Sequence, residues 1–448
     1  MLSPQEALDR AQDLVERARK AGADAADAVF GASSSEGIQV RLGNLEDVER
    51  SESEHISLRV FLGRRSASIG SSDLSPQALD ELAARALAMA GAAPEDAFAG
   101  LAPEELLTRG PWPELDLSDP AEPSPHDLRA AAREAEEAAR AVAGVTNSDG
   151  ATASAGSGVF ALATSHGFSG AYGSTSHSLG ASIVAGEGAA KQRDYAARSA
   201  HHRADLPLPA EIGELAARRA VARLNPGRMA SGPMPVVFDP RVGGSLIGNL
   251  IGAISGNAIA RRSSFLLGKL EDQIFAPGTV LVEEPHRPRG LRSRPFDGEG
   301  LPTRARNLVE DGRLTGWLLD SASARQLGLA PTGHAARGGG GAPGVSVGNL
   351  HLQPGTATPA ELMADIEDGV YITELIGSGV NPVTGDYSRG ASGFRIVGGE
   401  IAGPVAEFTV AGNLLAMFAR LTAANDLEWH RATNVPTLRV DGMTVAGD

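Results

Sequence analysis

Ala7, Leu8, Ala11, Leu14, Val15 and Ala18 fall three or four positions apart, the spacing that lines one face of an α-helix. Ser3 supplies an N-cap, Pro4 suits the first helical position, Glu6 completes a capping box, and Gly22 ends the run. The same Ser-Pro opening recurs at Ser75-Pro76 and Ser124-Pro125 and predicts two further helices. Between the first two openings the period changes from helical to alternating. Ile38, Val40 and Leu42 alternate with polar residues, as do Ile56, Leu58, Val60 and Leu62, which predicts strands. Helices and strands in this order predict an α+β chain whose N-terminal α/β domain is a helix-flanked sheet.

Residues 91–123 are rich in proline and acid and read as a long surface loop. Residues 151–198 are mostly Ser, Gly, Thr and Ala with weak alternation, so thin antiparallel strands are expected there, such as 158–164 and 178–185. A helix over 210–224 is followed by Asn225-Pro226-Gly227, a strong breaker. It sets the expected domains at 1–225 and 226–448, in keeping with a length of 448 residues. Beyond it, short apolar runs recur, with turn signals at Asp311-Gly312, Gly398-Gly399 and Asp441-Gly442 that read as hairpins. Thr358, Pro359 and Glu361 open one inserted helix. The second domain is therefore expected to be β-rich and mostly antiparallel.

Composition narrows the function. A net charge of −15 repels a phosphate backbone. The short basic run Arg287, Arg289, Arg292 and Arg294 is broken by prolines and reads as a solvated loop, so no direct nucleic-acid binding is expected. The chain has no cysteine, which excludes disulfides and thiolate ligands and fits a cytoplasmic protein. The N-terminal segment is amphipathic and charged rather than apolar, so no secretory signal is expected. The longest uncharged stretch, 242–260, is rich in Gly, Ser and Asn and reads as a buried or glycine-lined helix rather than a membrane span.

The commonest hydrolytic chemistry needs histidines one helical turn apart with a carboxylate base. His201 and His202 are adjacent, so on a strand they point apart, and the other eight histidines stand alone. No nucleophile elbow and no phosphate loop is present; the glycine run 338–341 lacks the Lys and Ser/Thr that would follow. Gly244, Gly248, Gly252 and Gly256 recur every fourth residue and share one helical face. Each costs about 1 kcal/mol relative to alanine in a helix interior. Two readings follow: close packing against a sheet, or a smooth wall beside a substrate channel.

The C-terminal blocks carry a resemblance. Thr373-Glu374-Leu375, the run from Gly379 through Asn381-Pro382 and Gly385-Asp386-Tyr387-Ser388-Arg389 to Gly390, and Ala411-Gly412-Asn413-Leu414 are similar to the PmbA/TldE branch of the TldD/PmbA (modulator of DNA gyrase) metallopeptidase family. Phe296-Asp297-Gly298-Glu299-Gly300, Asp272-Gln273-Ile274-Phe275 and Asn425-Asp426-Leu427 match further family blocks. The resemblance implies a cytoplasmic peptidase assembled from TldD-type and TldE-type subunits that digests extended, unstructured peptides. In the TldD branch a helix carries H-E-x-x-x-H for zinc and base, and a later cysteine completes the site. Here the aligned positions are Gly248-Asn249-Leu250-Ile251-Gly252-Ala253, and the whole helix lacks His, Asp and Glu.

The resemblance therefore implies a subunit with no catalytic residue and no metal of its own, zinc being expected in a TldD-type partner. A homodimer is the alternative assembly when the chain is alone. Asn249, Asp386, Tyr387, Ser388 and Arg389 are the candidates for lining a peptide cavity. The segment around Tyr387 reads equally as a surface turn, or as a loop braced by an Asp386–Arg389 pair. A stand-alone peptide-binding scaffold and an independent hydrolase are the rival functions.

Overall fold

The computed structural model describes residues 2–338 and 341–447; Gly339 and Gly340, the middle of the glycine run, lie outside the described residues. The first half is built from helices α1 (Pro4–Lys20), α2 (Pro76–Ala92), α3 (Pro125–Arg140) and α4 (Pro209–Ala222). Its strands are β1 (Ala25–Arg41), β2 (Asn44–Leu62), β3 (Arg65–Ser71), β4 (Val145–Thr164), β5 (Ser169–Ala185) and β6 (Gln192–Ala200). They form one antiparallel sheet in the order β3-β2-β1-β4-β5-β6. The helix starts are those expected. The Glu6 N–H donates to Ser3 Oγ at 3.2 Å, and the Ser3 N–H donates to the Glu6 carboxylate at 2.8 Å. Ser124 and Asp127 repeat this arrangement. The thin strands expected within 151–198 are in fact 20 and 17 residues long. Their pairing rests on the backbone ladder, which Ser, Gly and Ala complete without leaving an apolar pattern.

Side-chain alternation along β1 sets the layering. Ala26, Ala28, Phe30 and Ala32 meet α1 and α2, while Ile38 and Val40 meet α3 and α4. All are even-numbered, so the four helices lie on one face of the sheet. The helices bury mainly alanine, which permits close approach. A Cβ on Gly213 of α4 would lie 1.8 Å from the Ala135 carbonyl of α3, so only glycine fits that crossing. Asp27 and Val29 point the other way, and the second half of the chain covers that face.

In the second half, β7 (Gly232–Phe238) leads into α5 (Pro240–Ala253) and α6 (Gly256–Ala260). There follow β8 (Leu281–Glu284), β9 (Arg306–Glu310), β10 (Arg313–Leu314), α7 (Ser321–Leu327), β11 (Ala335–Ala336), β12 (Gly344–Val345) and β13 (Asn349–Leu352). The chain ends with α8 (Pro359–Met363), β14 (Asp368–Ile376), β15 (Asp386–Val397), β16 (Glu400–Asn413), α9 (Leu414–Ala419), β17 (Leu421–Ala423), β18 (Thr433–Asn434) and β19 (Leu438–Ala446). One sheet runs β16-β15-β14-β7-β19-β17, and β16 also pairs with β19, so five of its strands close into a ring. A second sheet runs β10-β9-β8-β13-β18. Pairing is antiparallel except at β7–β14 and β13–β18. The expected hairpins form at Asp311-Gly312 and Gly398-Gly399. Asp441-Gly442 is instead a bulge inside β19: the register shifts between Val440 and Met443, and Gly442 takes a φ of +73°.

The two halves are fused rather than merely linked. The expected surface loop of 91–123 runs between them. Arg325 donates from all three guanidinium nitrogens to the carbonyls of Phe98, Leu101 and Gly100, at 2.8, 3.0 and 2.9 Å. Leu115 accepts from the Arg289 N–H and Leu117 from the Thr175 N–H, both within 2.9 Å. Five aromatic side chains, Trp112, Phe160, Phe168, Tyr172 and Phe296, cluster between the halves, with Phe168 and Phe296 edge-on at 4.9 Å.

Beside them lies a buried charge network. Asp27 on β1 accepts from Arg59 Nε at 2.8 Å and from Arg337 Nη2 at 2.7 Å. Glu299 stands 3.7 Å from Arg59 and accepts the Ser321 N–H. Asp297 accepts the N–H groups of Glu299, Leu301 and Ala335; burial, and then Glu299, push its carboxyl up to about 7. Removing Asp27 would take the hydrogen-bonded carboxylate from both buried guanidinium groups, leaving Arg59 only the more distant Glu299. Asp27→Ala is expected to lower unfolding free energy by about 3–5 kcal/mol in denaturant titration. A loss below about 1 kcal/mol, the size of an exposed pair, would contradict this account of the interface.

Candidate functional site

Helix α5 was the sequence's most unusual segment, and its surroundings decide between the two readings. Leu246, Ile247 and Leu250 bury one face in the core of the second half. Asp239 caps the helix by accepting the Arg241 N–H, and Arg241 in turn donates to Asp194 on β6 at 2.8 Å. The uncharged run expected as one helix breaks after Ala253, where Ser255 caps α6. The glycines split accordingly. Gly256 is packed against Ser323 and Leu319, and the close contact on α5 belongs to Gly243, beside Val435 and Leu438. Gly248 and Gly252 are exposed, and a Cβ on either would meet nothing within 4 Å. Gly244 faces only the Thr433 carbonyl, at 3.8 Å. Close packing therefore explains Gly256 but not Gly248 or Gly252. The half-exposed Asn249 borders the open face.

The segment around Tyr387 is ordered by its own backbone. The Val383 N–H donates to Asn381 Oδ1, the Asn381 N–H to the Asp386 carbonyl, and the Ser388 N–H to the Gly379 carbonyl. Asp386 is exposed and accepts from Thr384 Oγ1 and Asn413 Nδ2, bonds that hold its carboxyl below the ordinary range. Ser388 is also exposed. Tyr387 points the opposite way, as alternation on β15 requires, and is 1% exposed within the main core. Its hydroxyl has no hydrogen-bond partner among the described residues, and burial pushes it up to about 12. Arg389 is half-buried and donates to the Leu375 carbonyl at 3.4 Å. The expected Asp386–Arg389 brace is absent among the described residues; Thr384, Asn381 and Asn413 do that work. Tyr387 is thus a core residue rather than a cavity wall, and no hydrogen bond joins Asn249 to the 386–389 segment among the described residues.

The residues present do not fit a zinc centre. Among the described residues, no group of three or more His, Asp or Glu is arranged to hold a metal ion. His177 and His202 share Asp119, at 3.4 and 4.0 Å. His334 bonds Glu283 at 2.8 Å and Thr332 at 2.7 Å in a buried chain; His202 lies 3.1 Å from Asp116.

Sequence reasoning missed an inter-domain cleft of about 540 Å³. It is lined by Arg198 and Ser199 of β6, by Arg287 and Arg289, and by Glu428 to Arg431. The supposedly solvated basic run is tied down here: Arg289 bonds Asp116 and Asp205, and the Arg287 guanidinium lies 3.5 Å over the Trp429 ring. The only hint in the sequence was an arginine run in an acidic chain.

This fold is that of a class of metallopeptidase-like proteins. A model of the PmbA/TldA metallopeptidase domain 1 matches residues 26–90, one of the central domain matches 118–224, and one of the C-terminal domain matches 231–447. The chain belongs to the PmbA/TldD metallopeptidase family. It is 37% identical to metalloprotease PmbA of Escherichia coli O157:H7, over 95% of this chain and 92% of that one. It is 35% identical to the metalloprotease PmbA homolog of Haemophilus influenzae, over 97% and 94%. Among solved structures, a modulator of DNA gyrase from Bacteroides thetaiotaomicron superposes with a TM-score of 0.91 at 28% identity, covering all of both chains. TldE from Thermococcus kodakarensis shares the fold, with a TM-score of 0.85 at 21% identity over 98% of this chain and 100% of that one.

The open glycine face generates a direct test. Gly248→Ala and Gly252→Ala meet no steric obstacle and should each stabilise the isolated chain by up to about 1 kcal/mol, measured by thermal unfolding. Destabilisation by either would mean that the face is already packed within the chain.

Proposed function

We propose that this chain is the TldE-type subunit of a cytoplasmic, two-subunit zinc metallopeptidase acting on extended, unstructured peptides. Its TldD-type partner would hold the zinc and the catalytic base. This subunit would close the peptide cavity and contribute wall rather than chemistry. Left alone, it would pair with a second copy of itself.

The observation that carries this reading is the open face of α5. At the positions aligned with the zinc-binding motif stand Gly248, Asn249 and Ala253, and a Cβ on Gly248 or Gly252 would meet nothing within 4 Å. Glycine in a helix interior costs stability, and an uncovered glycine face has a use where another backbone must approach closely. The relatives named metalloprotease agree with a peptidase setting. Asp386 and Ser388 remain candidates for contact with peptide or partner, being exposed on β15.

Zinc content tests the division of labour. The purified chain alone is expected to hold well under one zinc per chain and to show no chelator-sensitive peptidase activity, while a mixture with a TldD-type chain gains both. Stoichiometric zinc in the chain alone, with activity lost on chelation, would overturn the reading. No gain on mixing would favour a scaffold without peptidase function.

A further inference from the structure

The cleft between the halves brings together one open sheet edge, the end of a second sheet and a cluster of cations. β6 ends the first sheet and β18 ends the second, and Ser199 of one and Asn434 of the other line the cleft. An edge strand carries outward backbone groups that an added strand can pair with. On β6 the outward carbonyls of Tyr195 and Ala197 already accept from Arg219 and Arg198. By ladder alternation Ser199 presents its N–H and C=O on the same side, where no side chain takes them among the described residues.

The cations are unequally committed. Arg289 is held by Asp116 and Asp205, and Arg287 is stacked on Trp429 and lies 3.4 Å from Glu284. Arg198 donates from Nη1 to the Ala197 carbonyl, and its other Nη faces one carboxylate, Glu428, at 3.7 Å and itself 70% exposed. Arg431 has no ion pair among the described residues; its Nε donates to His430 Nε2 at 3.2 Å. With Nε2 accepting, the neutral His430 ring carries its proton on Nδ1, which is buried without a hydrogen bond and lies 3.4 Å from Glu428. Burial, and then Arg198, Arg431 and Arg219, hold His430 down at about 4, so it is neutral at physiological pH. These arginines gather within a chain of net charge −15. Trp429, 44% exposed, offers an apolar surface beside them.

We infer that this cleft receives the free C-terminal carboxylate of an extended peptide, held between Arg198 and Arg431, with the chain lying along the β6 edge. Guanidinium groups suit a carboxylate by charge and by paired hydrogen bonds. Edge strands suit an extended backbone, and Trp429 suits the last side chain. The inference rests on the peptide-handling reading above and adds a direction to it: the peptide would enter this subunit by its C-terminus.

The test uses the full chain and two versions of one short unstructured peptide, with a free C-terminal carboxylate or a C-terminal amide. Binding is followed by calorimetry and by tryptophan fluorescence. The free acid is expected to bind at least about tenfold more tightly, as loss of a charged hydrogen-bonding partner implies. Arg198→Gln and Arg431→Gln should each remove that preference with the thermal midpoint unchanged, and Glu428→Gln should strengthen acid binding by removing the competing carboxylate. Equal binding of acid and amide overturns the terminus assignment while leaving peptide handling intact. A preference that survives both arginine substitutions overturns the location. If neither peptide binds, the cleft assignment fails, while the subunit reading is judged by the zinc test on the mixture; binding of inorganic phosphate alone would then make the cleft a small-anion site.

Discussion

The contact between the odd-numbered face of β1 and the second half of the chain is the constraint on which the remaining structure depends. Asp27 joins the two halves by accepting from Arg59 of β2 and from Arg337 across the boundary. Charges this deeply buried are costly unless every partner is in place, so the network permits one docking geometry and penalises others. The aromatic cluster around Phe296 adds the apolar burial that the charges lack. A second ionic junction reinforces the fit, with Asp194 of β6 bound to Arg241, and Arg223 reaching Asp194, Glu374 and Ser392.

Both candidate surfaces follow from that docking. Arg241 stands in the first turn of α5, so its pairing with Asp194 anchors the glycine helix to the edge strand of the first sheet. Gly244 rests under the Thr433 carbonyl at the edge of the second sheet. The cleft therefore lies where α5 is tied to both sheets, while the open faces of Gly248 and Gly252 continue along the same helix. The docking of the two halves thus fixes the cleft and orients the uncovered helix face.

Local signals were legible in the sequence, and distant ones were not. Helix starts at Ser3, Ser75, Ser124 and Thr358 were readable because a cap and its partner lie within three residues. The Phe296–Gly300 block was recognisable as a pattern, but its role at the junction depends on Asp27 and Arg59, far away in the chain. Residues 151–198 misled because small side chains pair into long strands without an apolar signature. Asp441-Gly442 looked like a hairpin because a bulge uses the same left-handed glycine as a turn. Tyr387 looked functional because polar neighbours surround it in sequence, whereas strand alternation sends it alone into the core. The cleft was invisible because residues near 198, 287 and 430 meet only after the halves dock.

The central claim is that the open face of α5 is made to be covered by another chain. Amide hydrogen exchange across residues 244–253, in the chain alone and mixed with a TldD-type partner, tests it most directly. The account predicts slower exchange in α5 on mixing, with the Asp27 junction unchanged because it is already closed. Exchange in α5 that is identical with and without the partner, in a mixture shown to assemble, would contradict it.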